Sequence, residues 1–153
     1  MQISSRFTMA VHVLNCIVVL DGAMSMNSET IAQSVGANPV IIRNLFRQLK
    51  RAGLITAQRG NNGGVALAKK PEDITLLDIY RAVDSVEKDT LFHFHENPSP
   101  LCPVGRNIHG VLDGRLDEIQ DAMEEKMAAM KLSGVVSDTR TLIQSQSNQA
   151  SVE

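Results

Sequence analysis

The chain has 153 residues, enough for one or two small domains, and with no Trp, one Tyr and four Phe its core must come from Leu, Ile, Val, Met and Ala, which favours packed helices. A formal net charge of −2 argues against a chain that binds polyanions through bulk charge alone. Two cysteines exclude a disulfide framework, and no segment approaches the roughly 18 apolar residues of a membrane span.

The first element expected is a helix to about Leu20, capped by Ser4 or Ser5, with Phe7, Val11 and Leu14 on one face and Asp21-Gly22 as its stop. Its apolar stretch follows Arg6, but His12 and Asn15 interrupt it, so a buried helix face is expected and a secretion signal is not. His12 and Cys16 are expected in the core. A short helix follows, with Ser28 as the expected N-cap, Glu29 in the first turn where the helix dipole favours a carboxylate, and Gly36 as the break. Asn38 is expected to cap a third helix with Pro39 at its first position, and Gly53 to end it. Residues 54–58 and 65–68 are expected to be strands around a Gly/Asn-rich turn at 59–64. Thr75 and Asp78 have the spacing of a capping box for a helix at about 76–85. Residues 86–101 are expected to be loop, and 104–131 a long helix. Its apolar positions Ile108, Leu112, Leu116, Ile119, Met123, Met127 and Met130 form a narrow stripe on a charged rod. Beyond Ser133-Gly134 the chain turns polar, and Ser145 to Glu153 are expected to be a tail without fixed structure.

Charge is distributed unevenly along this order. Residues 30–71 hold no acid but carry Arg43, Arg47, Lys50, Arg51, Arg59, Lys69 and Lys70, whereas acids outnumber bases over 72–138. A short helix, a glycine turn, a second helix and a Gly/Asn-tipped hairpin, with no acid after Glu29, together predict a winged helix-turn-helix that binds DNA, with its reading head at 28–70. The early residues of the second helix of the pair, Asn38, Val40, Ile41, Arg43 and Asn44, are the candidate base readers. Arg43 has the donor fork for guanine and Asn44 the amide for adenine. Arg47, Lys50 and Arg51 lie further along, where phosphates are reached. At the wing, Asn61, Asn62 and Gly63 carry little side chain and can approach the DNA backbone, while Arg59 can enter a narrow minor groove. Ser5 and Arg6 at the start of the first helix complete the DNA-binding set.

The chain resembles the Rrf2 family of bacterial transcriptional regulators over about residues 1–135. The resemblance rests on Ile31-Ala32, LFRQLKRAGLI at 45–55, RGNNGGVALA at 59–68 and ITLLDIYRAV at 74–83. It implies a homodimer in which the long helix crosses to the partner, which would cover the apolar stripe, and it implies a near-palindromic operator in double-stranded DNA. The expected architecture is mainly α with a small β-hairpin. A winged helix-turn-helix is expected at 1–71, a linker helix, loop and long dimerisation helix at 72–135, and a polar, mobile tail at 136–153. Many relatives hold an iron–sulfur cluster on three cysteines before the long helix. Here that segment has Cys102 alone, so the chain resembles the branch without the cluster, and no cofactor is expected.

The expected function is a cytoplasmic, DNA-binding transcriptional regulator, a repressor rather than an enzyme. No nucleophile–base set is visible, and the Gly-rich segment is not followed by Lys-Ser/Thr as in a phosphate loop. Cys102, at the mouth of the long helix, is the candidate redox switch. The alternatives are a metal-responsive regulator using His93, His95, Cys102 and His109, or an interaction adaptor that does not bind DNA.

Overall fold

A computed structural model describes residues 5–58, 63–83, 91–92 and 95–150. Its elements in chain order are α1 (Ser5–Val19), α2 (Ser28–Val35), α3 (Pro39–Arg51), β1 (Ile55–Gln58), β2 (Gly64–Leu67), α4 (Leu76–Val83), α5 (Pro103–Ala129) and α6 (Leu132–Ala150), with one 3-10 turn at Pro71–Asp73. The strands pair antiparallel, Ile55 opposite Leu67 and Gln58 opposite Gly64, as a two-stranded ribbon directly after α3.

Local chemistry sets most boundaries. Gly36 ends α2 in the left-handed region at φ 69°, which a side chain rarely adopts, and lets the chain turn into α3. Asn38 caps α3 by accepting from the Val40 N–H at 2.8 Å, with Pro39 at the first position. Thr75 and Asp78 bond each other's backbone N–H groups at 2.9 and 2.8 Å, a reciprocal capping box opening α4. One expected cap moves: Asn27, not Ser28, caps α2, its side chain accepting from the Thr30 N–H at 2.8 Å. Asn27 already has the extended backbone of a cap, so Ser28 enters the helix as a buried residue.

The core lies among α1, α2, α3, α4 and the hairpin. Val13 and Leu14 of α1 meet Ile31 of α2, Ile42, Leu45 and Leu49 of α3, and Ile79 and Val83 of α4. Phe7 packs edge-on against Tyr80 with ring centroids 5.9 Å apart. Cys16 is buried as expected, but His12 is exposed and shares a 3.1 Å hydrogen bond with the Ser34 hydroxyl.

The C-terminal part differs from expectation. The long helix stops at Ala129 because the chain there forms a bridge: the Leu76 N–H donates to Met130 O and the Leu132 N–H to Ile74 O, both at 2.9 Å. A new helix, α6, then occupies 132–150, where a polar tail was expected. Leu132 and Val136 are buried in the core, and Asn15 donates to Thr139 Oγ1 at 2.8 Å. Those contacts anchor the first half of α6 on α1. Its apolar residues are too few to announce a helix in a polar stretch, so composition misleads there.

Candidate nucleic-acid interface

The face of interest is the outer side of α3. Ile42, Leu45 and Leu49 turn inward at helical spacing and are buried. That placement forces Val40, Ile41, Arg43, Asn44 and Arg47 outward, and all five are exposed. Val40 and Ile41 are apolar groups left in water at 53% and 41% exposure, on a surface otherwise of Arg, Asn and Lys. Apolar side chains beside guanidinium and amide groups suit a duplex major groove, which offers thymine methyls beside base-edge acceptors.

Two of the candidate readers are engaged within the protein. Arg43 Nη1 donates to Glu29 Oε1 at 2.9 Å and to Ser28 Oγ at 3.3 Å. Arg47 Nη2 donates to Asn44 Oδ1. The Asn44 carbonyl therefore faces along the helix to Arg47, and a bidentate contact to adenine requires that bond to be shared or broken. Neither pairing is announced by the sequence. The only hint is that Glu29 stands immediately before the acid-free stretch, where its helix-dipole role is explanation enough.

Along α3, from Ile41 to Arg51, a cleft of about 660 Å³ opens towards α1, lined by Ser5, Arg6, Met9, Asn44, Arg47 and Arg51, among others. Three guanidiniums on one concavity form a positive trough. The structure thus brings Ser5 and Arg6 together with Ile41, Asn44 and the second half of α3, while Asn38, Val40 and Arg43 are not among the residues lining the cleft. Gln48 and Arg51 belong to the same concavity, and nothing in the position of Gln48 in the sequence marks it as part of the face.

The hairpin is fixed beside α2 by backbone contacts. The Val65 N–H donates to Met26 O at 3.0 Å, and Ser25 Oγ donates to Gly63 O at 2.9 Å. Gly64 is required there, since a Cβ would lie 2.7 Å from Met26 O. Gly63 sits at the root of the wing tip; Arg59, Asn61 and Asn62 lie outside the described residues.

Cys102 is exposed and occupies the N-cap position of α5. Its thiol pKa is lowered by the backbone N–H of Gly105, then that of Val104, with burial acting weakly the other way. The sulfur makes no formal cap bond, so these amides act through the field of the open first turn. The metal alternative finds no cage. The His95 and His109 rings stack at 6.4 Å and His109 Nδ1 lies 3.4 Å from Asp113 Oδ1, yet among the described residues no three His, Cys, Asp or Glu groups converge to hold an ion. His93 lies outside the described residues.

Comparison with known proteins gives the family and the fold. The Rrf2 family profile, described as an iron-dependent transcriptional regulator, matches residues 3–138. YwnA of Bacillus subtilis, named as an HTH-type transcriptional regulator, is 42% identical over 135 residues, 88% of this chain and 97% of its own length. Among solved structures, T. potens IscR superposes with a TM-score of 0.68 at 22% identity, covering 91% of this chain and 88% of its own. CymR, the global cysteine regulator of B. subtilis, does so with 0.65 at 22% identity, covering 90% and 97%. These two likenesses bear on the fold, a winged helix with a long helix behind it. The iron in the family description finds no set of cysteines here that could hold it as a cluster. Clusters are held by sets of cysteine thiolates, and of the two cysteines in the chain Cys16 is buried on α1 against Ser34 Oγ at 3.4 Å, leaving Cys102 by itself.

Proposed function

The chain belongs to the Rrf2 family of transcriptional regulators, and from that premise we propose that it is a cytoplasmic homodimeric repressor that reads a near-palindromic operator with two copies of α3. The role is regulatory and not enzymatic, as in the relatives it matches. No helix among the described residues is long and apolar enough to cross a membrane.

The observation that carries the reading is the outward face of α3, where Val40, Ile41, Arg43, Asn44 and Arg47 stand exposed over a buried Ile42, Leu45 and Leu49. Such a helix enters the major groove with its N-terminal residues on base edges. Asn38, Val40, Ile41, Arg43 and Asn44 take that role. Ser5, Arg6 and Arg47, around the cleft between α1 and α3, take the phosphates that fix register. The wing, with Arg59, Asn61, Asn62 and Gly63, lies along the flanking backbone.

Dimerisation is supported by α5. It runs 27 residues with no buried side chain, and its stripe Ile108, Leu112, Leu116, Met123 and Met127 is only half-covered within one chain. A second copy of the helix would cover it and set two reading heads on one face of the duplex.

Cys102 supplies a switch that does not depend on a cluster. Its thiolate sulfur attacks a peroxide oxygen, the O–O bond breaks with release of hydroxide or water, and the sulfur becomes a sulfenic acid. The altered N-terminus of α5 then shifts the dimer and the spacing of its heads.

Selection of duplexes from a random pool by the purified protein, reduced and peroxide-treated, tests both parts. A palindromic sequence should be recovered under reducing conditions, with affinity falling linearly in log–log plots against salt. Recovery of no preferred duplex would sink the reading. A Cys102→Ser protein that still releases DNA on peroxide treatment would remove the switch alone.

A further inference from the structure

The Ser28–Glu29–Arg43 network goes beyond the assignment of α3 as a reading helix. Its bonds form a closed ring. Ser28 Oγ donates to Glu29 Oε2 at 2.9 Å, Arg43 Nη1 donates to Glu29 Oε1 at 2.9 Å, and the same Nη1 donates to Ser28 Oγ at 3.3 Å. Ser28 is 8% exposed and built into the start of α2, so the ring is moored to the core at one corner. Both oxygens of the carboxylate are held. The arginine and glutamate side chains keep 51% and 63% of their surface in solvent, so the pair adds nothing dependable to folding. What it does determine is position.

A guanidinium has five N–H donors in a rigid planar fork, two of them on Nη1. The two acceptors in the ring use the Nη1 pair. Among the described residues Nε and Nη2 bond nothing and form one straight edge with parallel donors, the edge that matches O6 and N7 of guanine. An unpaired arginine beside DNA tends towards the nearest phosphate, where its contact carries no sequence information. Pairing with Glu29 cancels the charge that drives that collapse and keeps the fork rigid over the groove.

We propose that Glu29, held by Ser28, is the positioning residue that makes Arg43 a guanine reader and not a phosphate clamp. The proposal rests on the DNA-reading assignment of α3 given above. Glu29 lies on α2, outside the recognition helix, and it touches no base; it acts through Arg43.

The test uses full-length protein as wild type, Glu29→Gln, Glu29→Ala, Arg43→Gln and the Glu29→Gln/Arg43→Gln double variant. Each is run through selection from a random duplex pool and through a salt titration on both the selected and a scrambled duplex. Glu29→Gln is close to isosteric, so it carries the test if the alanine variant fails to fold; thermal unfolding and circular dichroism show which variants are intact. Wild type should prefer guanine at one position per half-site, and Arg43→Gln should lose that preference alone. Glu29→Gln should weaken the same preference by about 5-fold or more, at the low end of what one bidentate contact discriminates. It should also bind scrambled DNA more tightly, with a salt slope steeper by up to about one unit as Arg43 joins the phosphate contacts. In the double variant the glutamate change should add nothing at that position. A Glu29→Gln profile matching wild type, or an Arg43→Gln profile that keeps every preference, overturns the inference while leaving α3 as the reading helix. Wild-type protein that selects no duplex overturns the parent reading and this one with it.

Discussion

At Gly64 a single hydrogen in place of a methyl group decides whether the wing can dock. A Cβ there would meet Met26 O at 2.7 Å, a backbone atom that cannot swing aside, and would pry apart the 3.0 Å bond from the Val65 N–H to the same oxygen. Gly64→Ala should therefore cost about 1–3 kcal/mol, the usual range for overpacking a fixed contact, measured by denaturant unfolding. It should also weaken DNA binding more than the stability loss explains, because the displaced hairpin carries the wing tip. Unchanged unfolding would show that the α2 entry gives way freely. A different residue effect belongs to Cys102. Its pKa is lowered by the Gly105 and Val104 amides, so a larger share of thiolate is present at neutral pH than for an ordinary thiol, and the share falls as pH drops through the lowered value. Alkylation rate against pH should show a midpoint below that of an unperturbed thiol in a short peptide, while Cys16, buried on α1, should stay unreactive until the protein unfolds. A midpoint at the ordinary value would remove the basis for the switch.

Elements differ in how plainly they are written in the chain. Helices α2, α3 and α4 are legible because each has a local stop or start: Gly36, Asn38-Pro39, and Thr75 with Asp78. The strands are legible from the Gly/Asn turn between two short apolar runs. Helix α6 is not, since its hold on the fold is tertiary: two buried apolar residues, Leu132 and Val136, and the Asn15–Thr139 bond from 124 residues away. The same limit hides the Glu29 ring, whose partners lie on separate helices. The α4 capping box yields a prediction of its own. For Asp78, burial raises the pKa, but the hydrogen bonds from Thr75, aided by Lys69 and Lys131, outweigh it and the net shift is downward. The sign follows: stability from this carboxylate is fully present above the ordinary Asp value of about 3.9 and is lost as pH falls through the lower folded value. Thr75→Ala should cost about 1 kcal/mol at neutral pH, as other lost N-caps do, and should flatten the acid limb of the stability curve. A Thr75→Ala protein with wild-type acid sensitivity would show that the Thr75 hydroxyl does not contribute to the lowered Asp78 pKa, leaving the backbone N–H of Thr75 to set it.

For the whole molecule, the reading head and α5 have to be joined rigidly if events at one are to be felt at the other. The join is visible in the bridge from Ile74 and Leu76 to Leu132 and Met130, and in the Arg81–Glu124 ion pair between α4 and α5. Helix α4 in turn shares the core with α1 and α3. In the proposed dimer, any change in the angle at which two α5 helices cross would thus be carried to both copies of α3. At about 1.5 Å per residue α5 is about 40 Å long, ample for the roughly 1,000 Å² or more that a stable interface buries. Leu116→Glu combined with Met123→Glu should therefore yield a folded monomer. Both side chains are half-covered in one chain, so their loss costs the isolated fold little, whereas a pair of carboxylates within an apolar seam cannot be accommodated without desolvating charge. Light scattering should report half the wild-type mass at micromolar protein with helical content retained. Operator affinity should fall by several orders of magnitude, since a monomer engages one half-site at a time. A double variant that keeps the wild-type dimer mass would place the subunit contact elsewhere, with the exposed Leu142 and Ile143 of α6 the next apolar pair to replace.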